Sequence, residues 1–184
     1  MKKIATPRGF RIEAFDQPTE SITPEFAEEI MEPVDKNRTT IIVAAQDIEN
    51  LLEAIVANYF FPPKDKNERR SEFEGQILKS EWCSFSSKIR LTLHIIETLK
   101  LKEGKVKNDF EQLLRKIMEY RNAFTHGDFS TDGRKVKMKY FKSKPKEKFL
   151  DDSWLEEIEG KIKKCYHECM EILRATSPAQ SNKS

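Results

Sequence analysis

Cysteine, glycine and tryptophan are scarce in this chain: three cysteines, six glycines and two tryptophans stand among 184 residues. Three cysteines do not make a disulfide framework. There is no glycine-rich phosphate loop, no serine-nucleophile elbow and no paired-carboxylate motif, which narrows the chemistry to what Arg, Asn and His side chains can do. No uncharged apolar run is long enough for a transmembrane helix. Met1-Lys2-Lys3-Ile4 leads into Pro7, Arg8 and Arg11 rather than an apolar signal core, so a cytoplasmic protein without a membrane partner is expected. An excess of one charge is missing too. Lys+Arg 33 against Asp+Glu 31 argues neither for nor against a nucleic-acid partner.

What is present is amphipathic and helical. A charged fraction of 35% beside a hydrophobic fraction of 38% suits helices that are polar on one side. The length fits one domain with a real core. Residues 1–34 read as an N-terminal arm, punctuated by Pro7, Pro18, Pro24 and Pro33, with a short helix from Thr23-Pro24-Glu25 through Met31. Residues 35–175 read as a helical bundle, and 176–184, rich in serine, as a disordered tail.

Within the bundle, Ile41, Ala45, Ile48, Leu52, Ile55 and Tyr59 step by three and four, predicting a helix over Asp35–Tyr59 that Pro62-Pro63 would end. A second helix is expected over Ser71–Leu99, with Leu78, Trp82, Phe85, Ile89, Leu93 and Ile96 as its stripe. Gly75 and Ser84-Phe85-Ser86-Ser87 make a kink or break plausible there. Asn108 opens a third helix, anchored by Phe110, Leu113, Leu114, Ile117 and Met118. Asp151-Asp152-Ser153 opens a fourth that runs to Arg174. Between these last two, Lys135-Val136-Lys137-Met138-Lys139-Tyr140 alternates as a strand does, after a Thr131-Asp132-Gly133 turn signal. The expected architecture is an all-α, four- to five-helix up-down bundle with a small β-hairpin inserted before the last helix.

Three local features bear on chemistry. Cys165-Tyr166-His167-Glu168-Cys169 tempts a zinc reading, but His167 lies about 200° around a helix from Cys165. Nor does a second ligand cluster complete a four-ligand site, so both cysteines read as small core residues and no metal or cofactor is expected. From Arg134 to Lys148 there are eight basic residues (Arg134, Lys135, Lys137, Lys139, Lys142, Lys144, Lys146, Lys148) against Glu147 alone, a local net of +7, interleaved with Tyr140, Phe141 and Phe149. Such a flap could grip a phosphate backbone, with Lys135, Lys137 and Lys139 foremost. It could equally be a solvated hairpin whose lysines prevent edge aggregation.

The third feature is Glu119-Tyr120-Arg121-Asn122-Ala123-Phe124-Thr125-His126-Gly127-Asp128, where Arg, Asn and His crowd the end of a helix. Asn122 and His126 share a face, whereas Arg121 and His126 stand roughly 140° apart. Arg121 continues the stripe of Phe110, Leu114, Ile117 and Phe124, and a guanidinium there needs a partner, a cleft or an interface. Read structurally, Gly127 closes the helix and His126 complements its dipole.

Arg121-Asn122-Ala123-Phe124-Thr125-His126 fits the R-N-x-x-x-H motif and resembles that of HEPN domains, a group of nucleotide-binding and ribonuclease helical bundles. Ser84-Phe85-Ser86-Ser87-Lys88-Ile89 is similar to the start of the preceding core helix in bacterial members, so the resemblance covers about residues 36–175. It implies metal-independent endoribonuclease activity of the kind found in growth-arresting toxins and phage-defence effectors. The catalytic set would be Arg121, Asn122 and His126, with Thr125 as a hydroxyl contact to substrate. It also implies a homodimer, with each protomer giving its Arg-to-His segment across a two-fold interface, RNA as partner, and an antitoxin or other partner protein. Some toxin members carry a modifiable tyrosine two residues past the histidine. Here Asp128 stands there, which puts that regulation in doubt. Many relatives do not cut RNA, so a non-catalytic module binding a nucleotide or a partner protein is the alternative.

Overall fold

The computed structural model describes residues 24–61, 68–131, 135–142 and 144–177. In order these form α1 (Pro24–Phe60), α2 (Glu68–Glu72), a π-helical turn (Phe73–Leu78), α3 (Phe85–Thr98), α4 (Gly104–His126), strands β1 (Asp128–Thr131), β2 (Val136–Phe141) and β3 (Pro145–Phe149), and α5 (Asp152–Thr176). The described residues are mostly helical, with five α-helices and one small antiparallel sheet ordered β1-β2-β3 among them. None of the helices among the described residues is long and apolar enough to cross a membrane.

The chain forms two units, and α1, α4 and α5 each contribute residues to both. Of the described residues, the unit without the sheet takes those within 43–118 and 160–177. Its core follows the stripes read from the sequence: Ala45, Ile48, Leu52 and Ile55 of α1, Ile89 and Ile96 of α3, Leu114 and Ile117 of α4, and Cys165, Cys169 and Ile172 of α5 are all buried. Cys165 and Cys169 thus pack as small core residues. A hydrogen bond with Cys169 and burial push the Cys165 thiol far up. His167 lies outside this core, exposed and 3.3 Å from Glu171. Lys88 of α3 is buried with its ammonium 2.6 Å from both Glu49 and Glu53 of α1.

The other unit takes the described residues within 24–42 and 119–159. Met31, Val34 and Ile41 of α1, Phe124 of α4, Phe129 and Met138 of the sheet, and Trp154 and Ile158 of α5 form its core.

Three expectations need correction. The short helix ending at Met31 is not separate. Pro33 costs one backbone donor, yet α1 runs through it, with Met31 and Val34 buried on either side. The helix expected over 71–99, with a kink or break near Gly75 or the serine run, does break, into α2, the π-helical turn and α3. Ser84, at φ −60° and ψ 161°, caps α3 by accepting from the Ser87 N–H at 3.2 Å, so the serine run is a helix start rather than a kink. Trp82 therefore leaves the apolar stripe and stands 88% exposed in the turn before that cap. The hairpin gains a third strand, because β1 pairs with β2 directly after α4. The rest of the expected arm before Pro24, the Asp132-Gly133 turn, Pro62-Pro63 and the tail from Pro178 lie outside the described residues.

Candidate functional site

The candidate site belongs to the sheet-bearing unit. The last turn of α4 is fixed by what it buries. Phe124 is fully buried, stacked on Trp154 (centroids 5.8 Å, 24° between planes) and 6.0 Å from Phe129. Tyr120 meets Trp154 edge-on at 6.3 Å, and its hydroxyl donates to Glu157 at 3.3 Å. Burial first, and then the Glu157 charge, push the Tyr120 phenol far up, so it stays neutral.

With Tyr120, Ala123 and Phe124 inward, helix geometry fixes the rest. Counting from Tyr120 at about 100° per residue, Arg121, Thr125, Asn122 and His126 fall at roughly 100°, 140°, 200° and 240°. They form one outward arc. Their exposure agrees: Asn122 and His126 are exposed, while Arg121 and Thr125 at the edge are half-buried. Arg121 is thus the border of the apolar stripe rather than a member of it.

Hydrogen bonds join part of this arc. Arg121 Nη1 donates to Asn122 Oδ1 at 3.3 Å, and Thr125 Oγ1 donates to the Arg121 carbonyl at 2.7 Å. That second bond occupies the Thr125 hydroxyl proton and leaves its lone pairs for an outside donor. Among the described residues, His126 has no hydrogen-bond or ion-pair partner, so its imidazole faces water rather than a structural acceptor. The arrangement unites Arg121, Asn122 and Thr125; within one chain it forms no bond between Arg121 and His126.

Gly127 closes the helix. Its N–H donates to the Ala123 carbonyl at 2.8 Å, and a Cβ at this position would come within 2.4 Å of that same oxygen. Arg38 of α1 was not among the residues expected here. Its Nη2 donates to the Thr125 carbonyl at 3.1 Å, and its guanidinium lies 5.3 Å over the Phe129 ring. It brings a second cation to the negative end of α4. Nothing in the sequence signals this, because the contact spans 87 residues.

The lysine-bearing strand attaches immediately after the motif. In the register, Asp128 pairs with Lys139, Ser130 with Lys137, and Lys137 with Phe149. Val136 and Met138 point inward and are buried, while Lys137 and Lys139 lie on the outer face. There they share one carboxylate, at 2.7 Å from Lys137 Nζ to Glu147 and 3.7 Å from Lys139 Nζ. Hydrogen bonding from Lys137 pulls the Glu147 carboxyl below its usual range. Lys135 Nζ and Lys137 Nζ lie 5.7 and 5.8 Å from the Phe149 ring centre. Lys142 bonds Glu119 at 2.7 Å. Burial, and after it the Glu119 charge, push the nearby Tyr140 phenol up. Among the described residues no group of His, Cys, Asp or Glu side chains is arranged to hold a metal ion.

No family model, no curated protein and no solved structure matches the chain.

Proposed function

We propose that this chain is a metal-independent endoribonuclease of the HEPN type, working as a homodimer with an HEPN-like bundle as scaffold. The observation that carries this reading is the outward arc: an exposed imidazole and a half-exposed guanidinium on a helix end fixed by buried aromatic rings. RNA supplies its own nucleophile, the 2′-hydroxyl. His126 takes that proton, the 2′-oxygen attacks phosphorus, and the P–O5′ bond breaks. The departing 5′-oxygen receives a proton from the imidazolium so formed, which restores neutral His126 and leaves a 2′,3′-cyclic phosphate and a 5′-hydroxyl. Arg121 holds the phosphate through paired N–H groups and offsets the charge that builds on its oxygens. Asn122 orients the guanidinium through the bond already present, and the Thr125 hydroxyl accepts from substrate. Pairing two copies would put the Arg121 of one beside the His126 of the other, which overcomes the roughly 140° between them on a single helix. Such enzymes serve as toxins or phage-defence effectors, and an antitoxin or partner protein belongs with that role.

One observation favours a second reading. Arg121 bonds Asn122 rather than His126 within the chain, as suits a non-catalytic module that grips a nucleotide or a partner protein. Incubating RNA with the purified protein in a chelating buffer separates the two. Cleavage that falls about 10²–10⁴-fold in His126→Ala, the usual range for losing a general acid–base, supports the enzyme. Equal inertness of wild type and variant leaves the binding module.

A further inference from the structure

The outer face of the sheet combines two properties that rarely coincide without a ligand. It is basic, and it exposes aromatic rings. Phe141, at the end of β2, is 75% exposed, and Phe149, on β3, is 48% exposed. Alternation along β2 puts Lys137, Lys139 and Phe141 on one side, opposite buried Val136 and Met138. Phe149 joins that side, because Lys137 of β2 and Lys135 just before the strand flank its ring. A single exposed apolar side chain, such as Trp82 elsewhere in the chain, needs no explanation, but two phenyl rings among the lysines of one small face are more than solubility or edge protection requires.

We infer that this face is a stacking platform for unpaired RNA. The choice of RNA rests on the ribonuclease reading above; the choice of a single strand does not. Duplex RNA hides its base faces and offers mainly phosphates and 2′-hydroxyls, so exposed phenyl rings gain nothing from it. An unpaired strand offers base faces to Phe141 and Phe149 while its phosphates meet the ammonium groups between them. Phe149 pairs with Lys137 and Phe141 with Pro145. The two rings are therefore four residues apart along β2, about 13 Å at strand rise. One nucleotide cannot span that distance, so the ligand is a run of several. The register then carries the strand toward the helix end, since Lys139 is paired with Asp128, two residues past His126. Asp128, exposed and paired with Lys139, puts one carboxylate on this face, and Glu147 is the second dissenting group. Its carboxylate sits between Lys137 and Lys139, repels phosphate and holds the affinity down.

The test is fluorescence anisotropy with a labelled uridine oligomer of about ten nucleotides, the order of site sizes on such platforms. A duplex of equal length and free uridine monophosphate serve as competitors. His126→Ala is used throughout, so that the probe is not cut. The inference expects the single strand to bind at least about tenfold more tightly than the duplex, and the mononucleotide to compete poorly. Phe141→Leu with Phe149→Leu, which keeps apolar bulk but removes the rings, should weaken single-strand binding about tenfold and leave duplex binding unchanged. Glu147→Gln should tighten it several-fold and steepen the salt dependence. Equal affinity for strand and duplex, or indifference to the paired leucine substitutions with circular dichroism unchanged, overturns the inference. Cleavage by wild type together with such indifference leaves the ribonuclease standing without its platform. Ring-dependent binding without any cleavage leaves the platform standing without the ribonuclease.

Discussion

His126 and Gly127 are adjacent and serve opposite needs. The imidazole is exposed and has no partner among the described residues, so His126→Ala should leave the midpoint of urea unfolding nearly unchanged while it removes the proposed ribonuclease activity. Gly127→Ala should do the reverse. The added methyl would approach the Ala123 carbonyl to 2.4 Å and crowd Met138 at 3.1 Å. A destabilisation of about 1–3 kcal/mol is expected, read from the same unfolding curves. At this scale the sequence was informative. Four-residue spacing placed Asn122 and His126 on one face, and Gly127 closed the helix as its type suggests. Arg38 was invisible, because nothing local to it announces a partner 87 positions away.

At the scale of elements, α1 and α3 are joined by a buried charge cluster. The Lys88 ammonium lies 2.6 Å from Glu49 and from Glu53, with side chains only 6%, 9% and 12% exposed. Burial alone would lower the Lys88 pKa, but hydrogen bonds to the two carboxylates outweigh it and hold the ammonium above the ordinary lysine value. A base whose folded pKa is raised stabilises the protein fully below its unfolded value, near pH 10.4 for a typical lysine. That stabilisation is lost as pH climbs through the higher folded value. Lys88→Met should therefore cost about 3–5 kcal/mol at neutral pH, because it strands two carboxylates. Wild type and variant should converge in strongly alkaline urea titrations. Replacing all three residues by apolar ones should recover much of the loss, which a lone structural defect at Lys88 would not allow. The stripes that build α1, α3, α4 and α5 were legible in steps of three and four. The interruption at Ser84 was harder to place. Heptad-like spacing carried the pattern through Trp82, while the decisive fact was a serine hydroxyl satisfying a free N–H at the start of α3. β1 was missed because Asp128–Thr131 is only four residues long, too few for alternation to register.

At the scale of the whole molecule, the near balance of charge in the sequence conceals its distribution, with the basic excess gathered around β2 and β3. If the reaction centre is shared between two copies, neither Arg121→Ala nor His126→Ala should cleave RNA alone. A mixture that has exchanged subunits should regain activity, up to about half of its molecules carrying one intact pair. The assay is cleavage before and after mixing, with light scattering to establish the dimer. Silence in the mixture, from a confirmed dimer, would place any reaction within a single subunit. This level was the least legible from composition, since self-association depends on surfaces that are only assembled by folding.

The two tryptophans have opposite surroundings. Trp82 is 88% open to water, whereas Trp154 is buried against Phe124 with the Lys148 ammonium 5.7 Å from its ring. Trp82→Phe should therefore leave a single emitter, shifted to shorter wavelength and sheltered from iodide. Because that indole sits beneath the motif-bearing turn and beside a sheet lysine, its intensity would follow occupancy of the site without any attached dye.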